Sequence, residues 1–224
     1  MYGFPSSTQL AGVPPIDSPL LVAPLTLWDG IVGLIDRETA HAKAGRPAAI
    51  VAKMNGLLDR RVVEALYAAS QAGVEIDLII RGMCSLRPGV KGISERIRVR
   101  SIVGRYLEHS RIFSFANGGK PEVYCGSADW MPRNLVERCE VVFPVQQPEL
   151  AKRLREEILA AYLKDNTKAR LLLPSGEYVR TTSDGAPFNA QDYLMAVARG
   201  SAGRIPHPVK HPDAEPAHEH AFEH

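Results

Sequence analysis

Long hydrophobic runs, paired cysteines and an amino-terminal targeting signal are all missing from this sequence. No run approaches the roughly 20 apolar residues that a membrane-spanning helix needs, so we expect no span. The start, MYGFPSST, has neither the basic nor the apolar part of a secretion signal. The cysteines, Cys84, Cys125 and Cys139, form no C-x-x-C pair, which argues against a disulfide framework or a zinc site. These absences predict a cytoplasmic protein.

The charge is small in total but uneven along the chain. The 224 residues carry a formal net charge of +2. The segment from Arg81 to Arg111 holds eight basic residues against Glu95 and Glu108, so it carries +6 and the remainder −4. A basic segment in a nearly neutral protein indicates a polyanionic partner. A solvated charged surface is the alternative, and composition alone leaves both open.

The hydrophobic pattern predicts one α/β domain, a sheet with helices on its faces. Strands are expected at about 20–23, 48–53, 74–80, 98–103 and 140–145, and helices at about 26–44, 59–72, 148–164 and 189–198. The helix between the second and third strands implies a right-handed crossover and therefore a parallel pair. Residues 81–96 are predicted to form a loop, and 169–181 a hairpin. The domain should span 20–199, between an irregular segment (1–19) and a disordered His-rich tail (200–224).

The stretch from Tyr106 to Asn134 has the side chains best suited to phosphate chemistry. The turn sequence at 117–119, Asn-Gly-Gly, predicts a hairpin that folds 123–126 back against a strand containing His109 and Arg111. Residues i and i+2 of a strand share a face, so the imidazole and the guanidinium should lie side by side. Histidine can accept a phosphoryl group or act as an acid or base near neutral pH. The pattern therefore predicts a phosphate-handling site.

Several collinear segments resemble the C-terminal domain of bacterial polyphosphate kinases of the long, phosphohistidine type, within the phospholipase D-like superfamily. The similarity covers about residues 20–195. The segments are AKMN (52–55), SQAGVEIDLIIRG (70–82), LRPGV (86–90), IRVRSIVGRYLEHSRI (97–112) and VYCGSADWMPRNL (123–135). The resemblance implies a phospholipase D-like mixed sheet with helices on its faces, in a single domain.

The same resemblance implies a function and a set of site residues. The domain would transfer the terminal phosphate of ATP to inorganic polyphosphate, and the reverse, with Mg²⁺ as cofactor. His109 matches the family's second histidine, which contacts the nucleotide and assists transfer, and Arg81 matches a nucleotide-binding arginine. Further phosphate-contact or hairpin-bracing roles are expected in the shared segments, each with a purely structural alternative: Lys53, Asn55, Arg87, Arg111, Ser127, Asp129, Arg133 and Asn134.

The chain departs from the family because it holds only one histidine half. The nucleophilic histidine and the magnesium ligands of the family belong to the missing half. His41-Ala42-Lys43 is literally H-x-K, but it lies in a predicted helix with no Gly-Ser partner downstream, so we reject it. In the phospholipase D motif, Arg111 replaces the lysine and Ala116 the aspartate, which argues against phosphodiesterase chemistry.

Three hypotheses follow from this pattern of matches and departures. The first is a phosphotransferase domain, and the second is a non-catalytic ATP- or polyphosphate-binding module or truncated paralogue. The third is a phospholipase D-like phosphodiesterase that acts as a dimer. We expect ATP, ADP and polyphosphate as ligands and no specific nucleic acid. A second copy, or a chain supplying the missing half, is the expected protein partner.

Overall fold

A computed structural model of the chain describes residues 19–181 and 185–201. The predicted amino-terminal segment and the His-rich tail lie almost wholly outside the described residues. Within the described ranges, nine strands form one mixed sheet in the order β1-β7-β6-β5-β2-β3-β4-β8-β9. Their bounds are β1 Leu21–Val22, β2 Ala49–Met54, β3 Glu75–Ile80, β4 Ile97–Ile102, β5 Arg111–Phe115, β6 Glu122–Gly126, β7 Val141–Pro144, β8 Ala169–Leu172 and β9 Tyr178–Arg180.

Strands β2, β3 and β4 run parallel at the centre of the sheet, and the other described pairings are antiparallel. Helix α2 (Arg60–Gln71) connects β2 to β3, as the crossover requires. Its first turn is capped by the Asp59 side chain, which accepts the Val62 N–H at 3.0 Å. The prediction of a parallel pair is confirmed.

Helices cover both faces of the sheet and create two apolar clusters. Helix α1 (Leu27–Lys43) and α2 pack on one face over a core that includes Ile31, Leu66 and the fully buried Trp130. The carboxyl-terminal helices pack on the other face, where Leu159 and Tyr162 meet strand residues. Covering both faces suits β2 and β3, whose residues are mostly buried, whereas β4 alternates buried apolar residues with Arg98 and Arg100.

The long helix expected at 148–164 forms, but not as one regular α-helix. It consists of α3 (Pro148–Arg153), a π-helical segment (Leu154–Leu159) and α4 (Ala160–Lys164). Its apolar residues repeat every four positions, which exceeds the 3.6-residue turn of an α-helix. The wider i→i+5 turns accommodate that spacing, so Leu154 and Ile158 both pack against the second cluster. The last helix, α5 (Ala190–Ala198), packs beside α4.

Candidate active site

The site residues meet at the edge of the sheet where β2 and β3 end. Lys53 and Asn55 lie at the end of β2, and Arg81 follows β3. Strand β5 is antiparallel to β2, with Ile112 opposite Lys53, so its first residue, Arg111, reaches the same edge. Ligands of α/β sheets bind at the carboxyl ends of parallel strands. The topology therefore brings four of the predicted site residues to one place.

His109 and Arg111 contact each other, but not through the geometry that the sequence predicts. The prediction of a shared strand is wrong: β5 begins at Arg111, and His109 lies in the preceding loop. The ladder cannot extend to His109 because β2 ends at Met54 and β6 ends at Gly126, opposite Arg111. The guanidinium instead folds back, with Nη1 donating to the His109 carbonyl at 2.7 Å and lying 2.6 Å from Nδ1.

This contact also favours one form of the imidazole. A guanidinium has only donors, so the short contact makes His109 Nδ1 an acceptor. The other ring nitrogen, Nε2, lies 3.5 Å from Arg111 Nη2, so the guanidinium borders both ring nitrogens. Because His109 is exposed, the imidazole is accessible to an incoming ligand.

Asp129 fixes the orientation of Arg111. Its Oδ2 accepts Arg111 Nη2 at 2.9 Å and its Oδ1 accepts Nε at 3.2 Å, a two-point pairing in which both side chains are buried. Oδ1 also accepts the Asn55 backbone N–H at 2.6 Å. Burial raises the pKa of Asp129, but the bonds from Arg111 and Asn55 outweigh burial and hold that pKa below its ordinary value. The carboxylate is therefore ionised and rigidly bonded.

Lys53 is a buried ammonium at the base of the site. It forms an ion pair with Glu108 Oε2 at 3.0 Å, donates to Ser110 Oγ at 3.1 Å and lies 4.8 Å from the centre of the Tyr162 ring. Burial lowers the pKa of Lys53, and the nearby arginines add to that effect, whereas Glu108 opposes it. Sequence reasoning missed Glu108 and Tyr162, although Glu108 directly precedes His109 in a shared segment.

Arg81 has an unused hydrogen-bond donor. Its Nη1 atom is buried and finds no acceptor among the described residues. The side chain lines a small cavity together with Lys53, Glu108 and Tyr162. The cavity measures about 10 Å³, so it has room for about one oxygen atom. A buried donor without an acceptor is costly, and the oxygen of an anionic ligand or of a water would remove that cost.

Ser127 and Asn134 lie in a different cluster from His109. Ser127 Oγ and Asn134 Nδ2 both donate to the Glu140 carboxylate, the second at 2.7 Å. These bonds hold the segment after β6 against the start of β7. The structure therefore gives the side chains of Ser127 and Asn134 a bracing arrangement with Glu140, and Ser127 directly follows Gly126, which pairs with Arg111.

Arg87 is exposed in the loop between β3 and β4. Its backbone N–H donates to the Tyr67 hydroxyl at 2.8 Å, and its carbonyl accepts Ser94 Oγ at 2.7 Å. These contacts tie the loop to α2 and leave the guanidinium in solvent. We therefore do not place Arg87 with the cluster around His109.

Three arginines of the basic segment already have partners within the protein. Arg96 pairs with Glu75 at 2.5 Å, and Arg98 pairs with both Glu75 and Asp77 at 2.8 Å. Arg100 donates to carbonyls at the end of α4. The whole segment therefore does not act as one polyanion-binding surface. The candidate surface is limited to the basic residues at the sheet edge.

The rejected H-x-K sequence has a structural explanation. His41 lies in α1, with Nε2 3.3 Å from Asn117 Oδ1, under the β5–β6 turn. The turn needs a left-handed backbone at Gly118 (φ +62°), where a side chain would collide with the His41 ring. His41 therefore supports the hairpin, at the opposite end of β5 from Arg111.

Neither a metal centre nor a membrane span is evident in the described part of the chain. Over residues 19–181 and 185–201, no three His, Cys, Asp or Glu side chains converge to hold a metal ion. The carboxylates nearest the site, Asp129 and Glu108, are already bonded to Arg111 and Lys53. No helix in the same ranges is long and apolar enough to cross a bilayer.

Solved structures with the same architecture define the fold class. A crystal structure of polyphosphate kinase from Porphyromonas gingivalis matches with a TM-score of 0.78 and 45% identity, covering 82% of this chain and 28% of that chain. NUC from Salmonella typhimurium, a phospholipase D family member, matches with a TM-score of 0.50 and 16% identity, over 69% of this chain and 96% of that chain. The second likeness shows the fold alone. The chain has the phospholipase D-like fold.

Sequence comparison identifies the family more closely. The family model for polyphosphate kinase C-terminal domain 2 matches residues 20–191. A polyphosphate kinase from Xylella fastidiosa is 56% identical over 178 residues, which are 79% of this chain and 26% of the relative. One from Pseudomonas putida is 55% identical over 74% of this chain and 23% of the relative. The chain belongs to the polyphosphate kinase C-terminal domain family and spans about a quarter of the length of these relatives.

Proposed function

We propose that this chain is a phosphotransferase domain that transfers the terminal phosphate between ATP and inorganic polyphosphate. The observation that carries the proposal is the buried, unsatisfied Nη1 of Arg81 at the same sheet edge as the Arg111–His109 pair. Membership of the family and the names of its relatives support the choice of ATP and polyphosphate. A cytoplasmic location stays a prediction.

The site residues suit phosphoryl transfer because that reaction depends mainly on positioning and charge neutralisation. Arg81 would pair with phosphate oxygens through its free donor. His109, held beside Arg111, would act as an acid or base at a phosphate oxygen of the nucleotide. Lys53, at the base of the site, would add positive charge near the phosphate. No magnesium ligand is assigned in this chain, so no step is derived through the ion, which stays an expectation from the family.

An activity assay tests the proposed role of His109. The full chain would be incubated with ATP, Mg²⁺ and a short polyphosphate primer, and assayed both for chain growth and for ATP formation from ADP. We expect His109→Ala to lower the rate about 10²-fold or more, as for loss of a general acid or base. His41→Ala is the matched control and should leave the rate unchanged. Unchanged activity in His109→Ala would refute the assigned role.

A binding module without turnover is the second candidate. It is supported by the pairing of the two carboxylates nearest the site, Asp129 with Arg111 and Glu108 with Lys53, which leaves neither free to hold a metal ion. Calorimetry separates the two candidates, since a module would release heat with ATP or polyphosphate but show no chain growth. Absence of heat with both ligands at low salt would contradict both candidates. No specific observation favours the phosphodiesterase hypothesis, because the likeness to NUC is one of fold alone.

A further inference from the structure

The loop that carries His109 is held by contacts with α5, a helix that lies far along the chain but close in space. Residues 103–110 connect β4 to β5, and Val103 and Leu107 expose 64% and 81% of their surface. The loop therefore obtains little support from apolar burial at these positions. Its position must come from specific hydrogen bonds at a few residues.

Gln191, in the first turn of α5, provides three of those bonds. Its Oε1 accepts the Tyr106 backbone N–H at 3.1 Å, and its Nε2 donates to the Tyr106 carbonyl at 3.0 Å. Nε2 also donates to Glu108 Oε1 at 2.8 Å. Gly104 packs so tightly against Gln191 that a Cβ atom there would collide with Oε1. Gln191 as a whole is 6% exposed, so its side of these bonds is shielded from water.

The end of α5 that presents Gln191 is itself firmly fixed. The Asn189 side chain caps the helix and accepts the Gln191 N–H at 3.0 Å. The Ala190 N–H donates to Asp165 Oδ2 at 2.8 Å, while Oδ1 of the same carboxylate accepts three N–H groups at the start of β8. Gln191 therefore projects from a rigid helix start and not from a flexible end.

His109 lies between two anchored neighbours. On one side, Glu108 bonds to Gln191 and to Lys53. On the other side, Arg111 is fixed by Asp129 and contacts the imidazole. Moving either anchor would shift the imidazole relative to the guanidinium, and small misplacements of a reacting group have large effects on rate.

We propose that Gln191 is a positioning residue that sets the conformation of loop 103–110 and thereby the place of His109 beside Arg111. The consequence for nucleotide binding rests on the proposed function. The geometric part, that Gln191 determines the environment of the imidazole, stands independently of any substrate.

The test uses the full chain and two substitutions. Gln191→Leu keeps the approximate size and removes all three bonds, whereas Gln191→Glu keeps the acceptor for the Tyr106 N–H but loses both donors. Gln146→Leu, at an exposed position before α3, is the matched control. Histidine-labelled protein gives the imidazole resonances of His109, which His109→Ala identifies by their loss. ATP affinity is measured by calorimetry on the same samples.

We expect both Gln191 variants to shift the His109 resonances, with Gln146→Leu unchanged. If the unsubstituted chain binds ATP, Gln191→Leu should weaken affinity about tenfold or more, equivalent to losing one or two hydrogen bonds. Absence of ATP binding by the unsubstituted chain would count against the proposed function only, because the resonances still decide the positioning role. Unshifted resonances in folded variants would overturn the proposal, and so would unfolding of both variants, since Gln191 would then be a general support of the fold.

Discussion

At the residue scale, Asp129 connects the end of β2 with the start of β5. It pairs with Arg111 through two bonds and receives the Asn55 backbone N–H. The sequence indicated Asp129 only as one of several polar residues in a segment that resembles the family. Its role could not be predicted because Arg111 lies 18 positions away, and the two meet only through the pairing of β5 with β6.

Replacing Asp129 by asparagine should destabilise the fold. The substitution leaves Arg111 buried without its counter-charge, which typically costs about 3–5 kcal/mol in unfolding free energy. Asp29→Asn is the matched control, because Asp29 pairs with Arg61 in solvent and should cost at most about 1 kcal/mol. Urea unfolding of both variants at neutral pH measures the difference. Equal losses of unfolding free energy would show that the buried Asp129–Arg111 pair stabilises the fold no more than the exposed Asp29–Arg61 pair.

The contribution of Asp129 should also depend on pH. Its folded pKa lies below the ordinary value of 3.8, so between these two values the unfolded chain binds more protons. The stabilisation is therefore fully present above about 3.8 and is lost as the pH falls through the folded pKa. The stability gap between the unsubstituted chain and Asp129→Asn should narrow over that acidic window. A difference in unfolding free energy that stays constant on acidification would contradict the lowered pKa of Asp129.

At the element scale, local signals predicted most helices and strands. The predicted ends of α1 and α2, just before Gly45 and Gly73, are confirmed. Both glycines adopt positive φ, as glycines that follow helices commonly do. The π-helical segment at 154–159 was not predicted, since which turns widen depends on packing against the second cluster. The loop position of His109 was missed for the same kind of reason, because it depends on where the neighbouring strands end.

The two central helices begin with different caps, which gives a direct comparison. The Asp59 side chain accepts the Val62 N–H of α2 and also the Trp28 indole N–H at 3.1 Å. Thr26, at the start of α1, makes no cap bond and instead accepts the Val22 N–H. Asp59→Ala should cost about 1–2 kcal/mol through loss of a cap, with the Trp28 bond lost in addition. Thermal unfolding checks this value.

Thr26→Ala serves as the comparison variant for that measurement. Its expected cost is about 1 kcal/mol or less, because one partly buried bond is lost while the helix keeps its other contacts. A Thr26→Ala variant that is less stable than Asp59→Ala would contradict the assignment of the cap to Asp59.

At the scale of the whole molecule, the sheet order creates the site. The α2 crossover predicted that β2 and β3 are parallel. The parallel pairing places Lys53 and Arg81 at one edge of the sheet. The insertion of β5 beside β2, which brings Arg111 to that edge, depends on long-range pairing that no local pattern specifies. The family resemblance implied nucleotide contacts for both Arg81 and His109, but not the strand pairing that brings Arg111 to the same edge.

The most direct test of the central claim, that the sheet edge around Arg81 binds phosphate chains, is a titration with polyphosphate at two salt concentrations. Arg81→Ala should cost on the order of 1.5–3 kcal/mol of binding free energy, as for loss of charge-assisted hydrogen bonds. Arg96→Ala should cost much less, because its guanidinium is paired with Glu75. The loss caused by Arg81→Ala should be larger at low salt, where its counterion release contributes most. Equal losses from the two variants would contradict the account, because Arg81 would then be only one charge on a basic surface.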